Sequence, residues 1–184
     1  MVLHRHYLPN FEAGIYAALV TAGKIIFFVL SPIAVVLLPI VSRKSSKPEL
    51  SRKDLLTALA IALGLGICVL IIYFGLARII ITTLFTSKFD QATMFLPWFG
   101  LAMLGYSLAN IFGNFLIALN RSQVVSIAIL GVLLEVGSIY LFHATLWQVV
   151  WGLTVVFWTL AIILFSLSWH ATRQKTQIIG KIWN

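Results

Sequence analysis

Charged residues are scarce in this chain, and acidic residues are the scarcest. Only 10% of the 184 residues are charged, with five Asp and Glu against thirteen Lys and Arg, whereas 61% are hydrophobic. A soluble domain typically carries about 25% charged and about 45–50% apolar residues. The composition, with a mean hydropathy of +1.03, therefore argues against an ordinary soluble domain and predicts a polytopic membrane protein.

Cysteine is nearly absent as well. The single thiol, Cys68, lies in an apolar run, so the sequence offers neither an internal disulfide nor a thiolate metal site. His4 and His6 could suggest a metal site, but no third ligand is in view and we interpret them as part of a solvated loop. No motif in the sequence indicates a cofactor.

Long apolar runs predict an all-α bundle of about five transmembrane helices with a short interfacial helix. The first run reaches about 45 Å at helical rise, enough to cross the hydrocarbon core and both headgroup layers. After the second run, Arg78, Lys88 and several threonines mix with Ile and Leu, which indicates an amphipathic segment at the membrane surface. A simple continuation of the second helix is the alternative. The predicted transmembrane unit covers residues 1–169, with spans at about 11–42, 54–75, 91–119, 123–142 and 147–169, an interfacial segment at about 76–87 and a basic tail at 170–184.

Positive residues divide unequally between the two ends of these spans. Five crossings with the N-terminus outside place five Lys and Arg of the 42–53 loop, Arg121 and three residues of the tail on one side. The other side keeps only Arg5 and Lys88, with Arg78 at its interface. Because cytoplasmic loops are enriched in Lys and Arg, we predict a multi-pass protein with a cytoplasmic C-terminus. Positive residues at span ends also favour contacts with lipid headgroups over nucleic acid.

Lys24, near the middle of the first span, is the strongest functional signal. An ammonium group at the centre of a bilayer costs at least about 2.5–3.5 kcal/mol on insertion scales. Small and polar residues share its side of the helix, which predicts that it faces a polar cavity. Snorkelling to headgroups, or pairing with a neighbouring helix, is the alternative. The residues of this side are Gly14, Ala17, Thr21, Lys24, Phe28 and Ser31.

Polar groups also occur in the third and fourth spans. Ser107, Asn110 and Asn114 form a polar edge that could contact sugar hydroxyls or hydrogen-bond to adjacent helices. Glu135 is the only carboxylate well inside a span. It is a candidate for loading a proton or sodium ion, and a structural hydrogen bond or a neutral buried acid is the alternative. A four-residue repeat of small side chains predicts close helix contact at Gly105, Ala109 and Gly113.

The order of features in residues 1–121 resembles the second half of the polysaccharide-unit flippases, which belong to the multidrug/oligosaccharidyl-lipid/polysaccharide exporter superfamily. The first similar stretch is HYLPNFEAGIYAALVTAGKIIFF, followed by the helix end LLPIVSRKS. The second is LARIIITTLFTSKFDQATMFLPWFGLAMLGYSLANIFGNFLIALNR. The last two predicted helices match the family only in placement and hydrophobicity.

This resemblance implies two bundles, with about twelve helices in all, that move undecaprenyl-diphosphate-linked oligosaccharide repeat units across the bacterial cytoplasmic (inner) membrane for surface polysaccharide such as O-antigen. Alternating access needs both bundles, so a chain with five spans is expected to be a C-terminal fragment that is inactive alone. Expected partners are membrane lipids, the lipid-linked oligosaccharide, the missing N-terminal lobe and the polysaccharide polymerase machinery.

In this interpretation the protein is not an enzyme, and its polar membrane residues serve transport. The candidates for the substrate cavity are Lys24, Thr21, Ser31, Asn110 and Asn114, and Glu135 is the candidate for ion coupling. Two other functions remain open from the sequence. One is a small five-helix scaffold or assembly protein, and the other is part of a drug or peptidoglycan-precursor exporter of the same superfamily.

Overall fold

Five long helices make up most of the protein. The computed structural model describes residues 10–43, 48–85, 87–121, 123–141 and 145–182. The helices are α1 Asn10–Arg43, α2 Pro48–Leu84, α3 Ala92–Ala118, α4 Gln123–Leu141 and α5 Leu146–Ile182, with a 3-10 turn at Ser87–Phe89. These residues contain no strand, so the predicted all-α helical bundle is confirmed. Every helix is long and apolar enough to cross a membrane, as expected for a multi-pass membrane protein.

The second helix differs most from its predicted bounds. It begins at Pro48 instead of near residue 54, which is favourable because the first helical N–H groups lack intrahelical partners and proline has none to lose. It then continues to Leu84, through the segment predicted to lie at the interface. Leu76, with φ −122° and ψ 16°, is not helical and bends the chain there. The bend coincides with the predicted boundary, while the position of residues 76–87 relative to a bilayer stays a prediction.

The helices α1, α3 and α5 run parallel to one another, with α3 in the middle. Along α1, Gly23 lies against Phe99 and Phe27 lies against Tyr106, so residue numbers rise together on the two helices. Aromatic pairs show the same order between α3 and α5. These pairs are Phe95 with Trp147, Tyr106 with Phe157, and Phe112 with Phe165.

The remaining helices, α2 and α4, run in the opposite direction. On α2, Tyr73 lies against Gly100 and Gly66 lies against Leu104, so residue numbers fall on one helix as they rise on the other. The Tyr73 hydroxyl donates a hydrogen bond to the carbonyl oxygen of Ala22 on α1. Helix α4 packs mainly on α5. The alternation of direction is that of a chain crossing a membrane back and forth.

Gly105, one of the three small residues of the predicted repeat, lies in close contact with α5, whereas Gly113 has only an ordinary contact with Val124 of α4. A Cβ atom at Gly105 would lie 3.0 Å from Cδ1 of Trp158. The indole Nε1 of Trp158 donates a hydrogen bond of 3.1 Å to the carbonyl oxygen of Leu101. Trp158 is thus a packed residue whose single polar atom is satisfied inside the bundle.

Aromatic and basic side chains mark the two ends of the bundle. At one end, the centroid of the Trp98 ring lies 6.3 Å from that of Trp147 and 5.4 Å from that of Trp151. At the other end, the guanidinium of Arg52 lies 3.8 Å above the ring of Trp169. Tryptophan is typical of membrane–water boundaries, so these clusters fit the two surfaces of a spanning bundle.

Candidate functional site

A groove opens between α3, α4 and α5 and runs from the level of Tyr106 and Glu135 to the turn between α3 and α4, where Ile117 and Val124 line it. It encloses about 330 Å³ and is mostly apolar. Its polar groups come from three of the residues that the sequence identified, Asn110 and Asn114 on α3 and Glu135 on α4. The structure therefore brings the candidate ion-coupling carboxylate and the two candidate amides of the substrate cavity into one site.

Helix packing explains why this edge of α3 is open. Most of α3 is buried against α1, α2 and α5, and the side left over is the one that carries Tyr106, Asn110 and Ile117. These residues recur at spacings of four and seven, which places them on one face of a helix. Because α4 packs mainly on α5, it stands beside this face and forms the far wall of the groove.

Small side chains set the width of the groove. Gly113 lies on the α3 wall, where a Cβ atom would reach no nearer than 3.8 Å to Val124 of α4. Gly131 lies on the α4 wall, where a Cβ atom would lie 2.8 Å from Cδ1 of Leu160 on α5. The second glycine thus permits close packing of α4 on α5, and the first leaves space between α4 and α3.

The two asparagines pair with each other along α3. The side-chain Nδ2 of Asn114 donates to the carbonyl oxygen of Asn110 at 2.9 Å and to its Oδ1 at 2.6 Å. Among the described residues neither amide bonds to another helix. Ser107 is buried and donates to the carbonyl oxygen of Met103 at 2.8 Å. The polar edge is thus satisfied largely within α3, and Asn110 and Asn114 remain at the groove surface.

Glu135 is half-buried on the α4 wall of the groove. Its neighbours across the groove include Tyr106 and Phe157, whose ring centroids are 5.2 Å apart. The carboxylate therefore lies at the end of the groove away from the α3–α4 turn.

Lys24, Thr21 and Ser31 do not line this groove. They lie on α1, where Lys24 and Thr21 are exposed and Ser31 is partly exposed. The hydroxyl groups bond to their own helix, Thr21 to the carbonyl oxygen of Ala17 at 2.9 Å and Ser31 to that of Phe28 at 3.3 Å. The predicted polar side of α1 is thus an open surface, separate from the groove.

Lys24 nevertheless lies at nearly the same depth as Glu135. Its neighbour Gly23 contacts Met103, and Phe27, one turn further, contacts Tyr106 at 5.4 Å between ring centroids. Tyr106 lines the groove together with Glu135. The chain of rings from Phe27 through Tyr106 to Phe157 therefore connects the open side of α1 to the groove. No pattern in the sequence singles out Tyr106, although it precedes Asn110 by one helical turn.

The described residues contain no group of three or more His, Cys, Asp or Glu side chains that could hold a metal ion. His4 and His6 lie outside the described residues. What the groove can offer a ligand is one carboxylate, two amides and a large apolar surface. Such a site suits a ligand with both polar and apolar parts.

Comparisons with protein-family models, with curated proteins and with solved structures found no match to this chain.

Proposed function

We propose that this chain forms part of the C-terminal lobe of a flippase that moves undecaprenyl-diphosphate-linked oligosaccharides across the bacterial cytoplasmic membrane. The observation that carries the proposal is the groove between α3, α4 and α5, whose lining includes Asn110, Asn114 and Glu135. Polar groups within a membrane span are unfavourable against lipid tails and usually face water, protein or a polar ligand. A carrier for a sugar-bearing lipid needs such a polar surface within the membrane.

Each polar residue has a role in this proposal. Lys24, exposed on α1, attracts the diphosphate or acidic sugars of the substrate. The amides of Asn110 and Asn114 offer hydrogen bonds to sugar hydroxyls, and Thr21 and Ser31 extend the polar surface along α1. Glu135 loads and releases the coupling ion. The loop at 42–53 and the C-terminus face the cytoplasm, where a surplus of positive charge is typical.

A second helical bundle is required for transport, because alternating access moves two bundles about one central site. The open surface of α4 supports such an arrangement. Its side chains Leu130, Val132 and Leu133 are more than half exposed, so this helix has apolar surface for a second bundle or for lipid. The lipid-linked oligosaccharide, the N-terminal lobe and the polysaccharide polymerase machinery are the partners that the proposal implies.

Surface polysaccharide made by cells that express the complete two-bundle carrier tests the proposal. We expect Lys24→Leu to abolish polymer at an unchanged protein level and Lys24→Arg to retain it, because arginine keeps the positive charge. We expect Glu135→Gln to remove the dependence of flipping on pH or sodium. Normal polymer with Lys24→Leu, or unaltered ion dependence with Glu135→Gln, would contradict the corresponding role.

A small membrane scaffold is the second candidate function. It is favoured by the way α3 packs against α1, α2 and α5, because a bundle with a well-packed central helix could be stable alone. Immunoblotting of native membranes separates the two functions. A product near 20.5 kDa with no larger species would favour the scaffold, and a larger species would favour the carrier. A drug or peptidoglycan-precursor exporter differs from the proposed flippase only in its substrate.

A further inference from the structure

The turn between α3 and α4 holds Arg121 in a defined position. Asn120 adopts the left-handed conformation with φ 58°, and its N–H donates to the carbonyl oxygen of Ile117 at 2.8 Å. The N–H of Arg121 donates to the carbonyl oxygen of Leu116 at 3.1 Å. These two bonds form the Schellman motif that commonly ends a helix. The backbone of Arg121 is therefore held in a fixed position at the end of the bundle.

A small pocket lies beside this turn. It encloses about 160 Å³, against about 30 Å³ for one water molecule in the liquid, so it has room for a phosphate-sized group. Its polar lining comes from three places in the chain, namely Arg121 of the turn, Gln123 at the start of α4 and His170 of α5. Its remaining lining is apolar and consists of Leu116, Val124, Leu167 and Ala171.

The chemistry of this lining favours an anion. A guanidinium has five N–H donors in a planar fork that matches phosphate oxygens, an imidazole has at least one N–H donor at any pH, and a primary amide has two. None of the described residues that line the pocket is acidic. The adjoining leucine, valine and alanine side chains provide a surface for the hydrocarbon part of the same molecule.

The surroundings of the pocket indicate where that anion comes from. The pocket lies at the end of the bundle where Arg52 covers Trp169, the residue next to His170. The exposed cations Arg43 and Lys53 belong to the same end, since they flank the connection between α1 and α2. A membrane-spanning bundle places such an end among lipid headgroups, where basic side chains attract anionic lipids.

We propose that the pocket formed by Arg121, Gln123 and His170 binds the phosphate of an anionic phospholipid. The guanidinium and the imidazole bind the phosphate oxygens, and the apolar lining contacts the first carbons of the lipid chains. A lipid with net negative charge is preferred to a zwitterionic one, because the described lining includes a cation and no acid that could bind a choline group. The proposal is independent of the transport function.

The purified full chain in detergent tests this proposal through its thermal unfolding. The probes are phosphatidylglycerol, phosphatidylcholine and inorganic phosphate, each titrated separately. We expect phosphatidylglycerol to raise the midpoint more than phosphatidylcholine does. A charge-assisted hydrogen bond contributes enough that Arg121→Gln should weaken the apparent affinity about tenfold or more, and His170→Leu should weaken it by a smaller factor.

Lys53→Gln is the matched control, since it removes one exposed positive charge at the same end but outside the pocket. It should leave the response to phosphatidylglycerol unchanged. If Lys53→Gln and Arg121→Gln weaken the apparent affinity for phosphatidylglycerol equally, the attraction is diffuse and the proposal is overturned. The proposal is also overturned if neither Arg121→Gln nor His170→Leu changes the response to phosphatidylglycerol. If inorganic phosphate stabilises the protein as strongly as phosphatidylglycerol, the site takes the free anion and the lipid assignment is wrong. Should Arg121→Gln fail to fold, His170→Leu on α5 decides the outcome by itself.

Discussion

Replacing Gly23 with alanine tests the packing of α1 on α3. A Cβ atom at this position would lie 2.5 Å from Cδ1 and 2.6 Å from Cε1 of Phe99. Carbon atoms in contact are normally about 3.5–4.0 Å apart, so the ring or the helix must move by about 1 Å. Phe99 is completely buried and its ring lies edge-on to Tyr16 at 6.1 Å. The ring therefore has little space, and the displacement should spread to α1.

The expected loss of stability follows from two opposing effects. Overpacking a well-packed interior typically costs about 1–3 kcal/mol, whereas alanine is favoured over glycine in a helix by about 1 kcal/mol. Because the new atom would lie about 1 Å too close to a completely buried ring, the upper part of the overpacking range, about 2–3 kcal/mol, applies. We therefore expect Gly23→Ala to lower the free energy of unfolding by about 1–2 kcal/mol. For a chain of this size about 1 kcal/mol corresponds to about 2–4 °C in Tm. Thermal unfolding of the detergent-solubilised protein should therefore show a clear decrease.

Gly64→Ala is the matched control because nothing lies within 4 Å of a Cβ atom there. It should leave Tm unchanged or raise it slightly. A second variant tests the contact itself, since Phe99→Leu removes the ring that the new methyl group meets. The double variant should be more stable than the sum of the two single effects predicts. If Gly23→Ala behaves like Gly64→Ala, or if the two single effects simply add, the close approach of α1 and α3 is wrong.

Two further predictions concern polar contacts and use the same unfolding assay. Tyr73→Phe removes the hydrogen bond from the buried hydroxyl to the carbonyl oxygen of Ala22 and should lower the free energy of unfolding by about 0.5–1.5 kcal/mol. Tyr106→Phe is its control, because no hydrogen bond of that hydroxyl is found among the described residues, and equal effects of the two variants would contradict the assignment. Arg78→Gln breaks an ion pair with Asp90 of 3.4 Å in which the arginine side chain is 78% exposed. Exposed ion pairs contribute about 0–1 kcal/mol to stability, so Arg78→Gln should change Tm little. A decrease in Tm as large as that of Gly23→Ala would show that the pair is more important than its exposure indicates.

Hydropathy alone was enough to predict the number and approximate positions of the helices. Backbone N–H and C=O groups must be satisfied within each segment in lipid, so an apolar run of sufficient length is nearly always a helix. The ends were less predictable, because a helix can extend beyond the membrane where hydropathy no longer indicates it. Helix α2 begins at Pro48 and α5 continues to Ile182 for this reason.

The candidate site was only partly predictable, and the reason is rotational. A polar residue in an apolar run shows that one side of its helix faces something other than lipid. Which helix or cavity lies on that side depends on packing between helices that are distant in sequence. Asn110, Asn114 and Glu135 were identified one by one, and only the packing of α4 on α5 beside α3 places them in one groove. The same packing leaves Lys24 on an open surface of α1. The small-residue repeat was more informative, because close approach at Gly105 follows directly from the absence of a side chain.

Lys24 and Glu135 together limit how the bundle can lie in a membrane. Neither has an ion-pair partner among the described residues, and the contacts of Gly23, Phe27 and Tyr106 place them at similar depth. An ammonium exposed to lipid tails at that depth would be unfavourable by at least about 2.5–3.5 kcal/mol. The open side of α1 is therefore expected to face water or protein, and the packed rings of Phe27, Tyr106 and Phe157 lie between it and the groove. We therefore expect lipid to cover the sides of the bundle that carry no such charge.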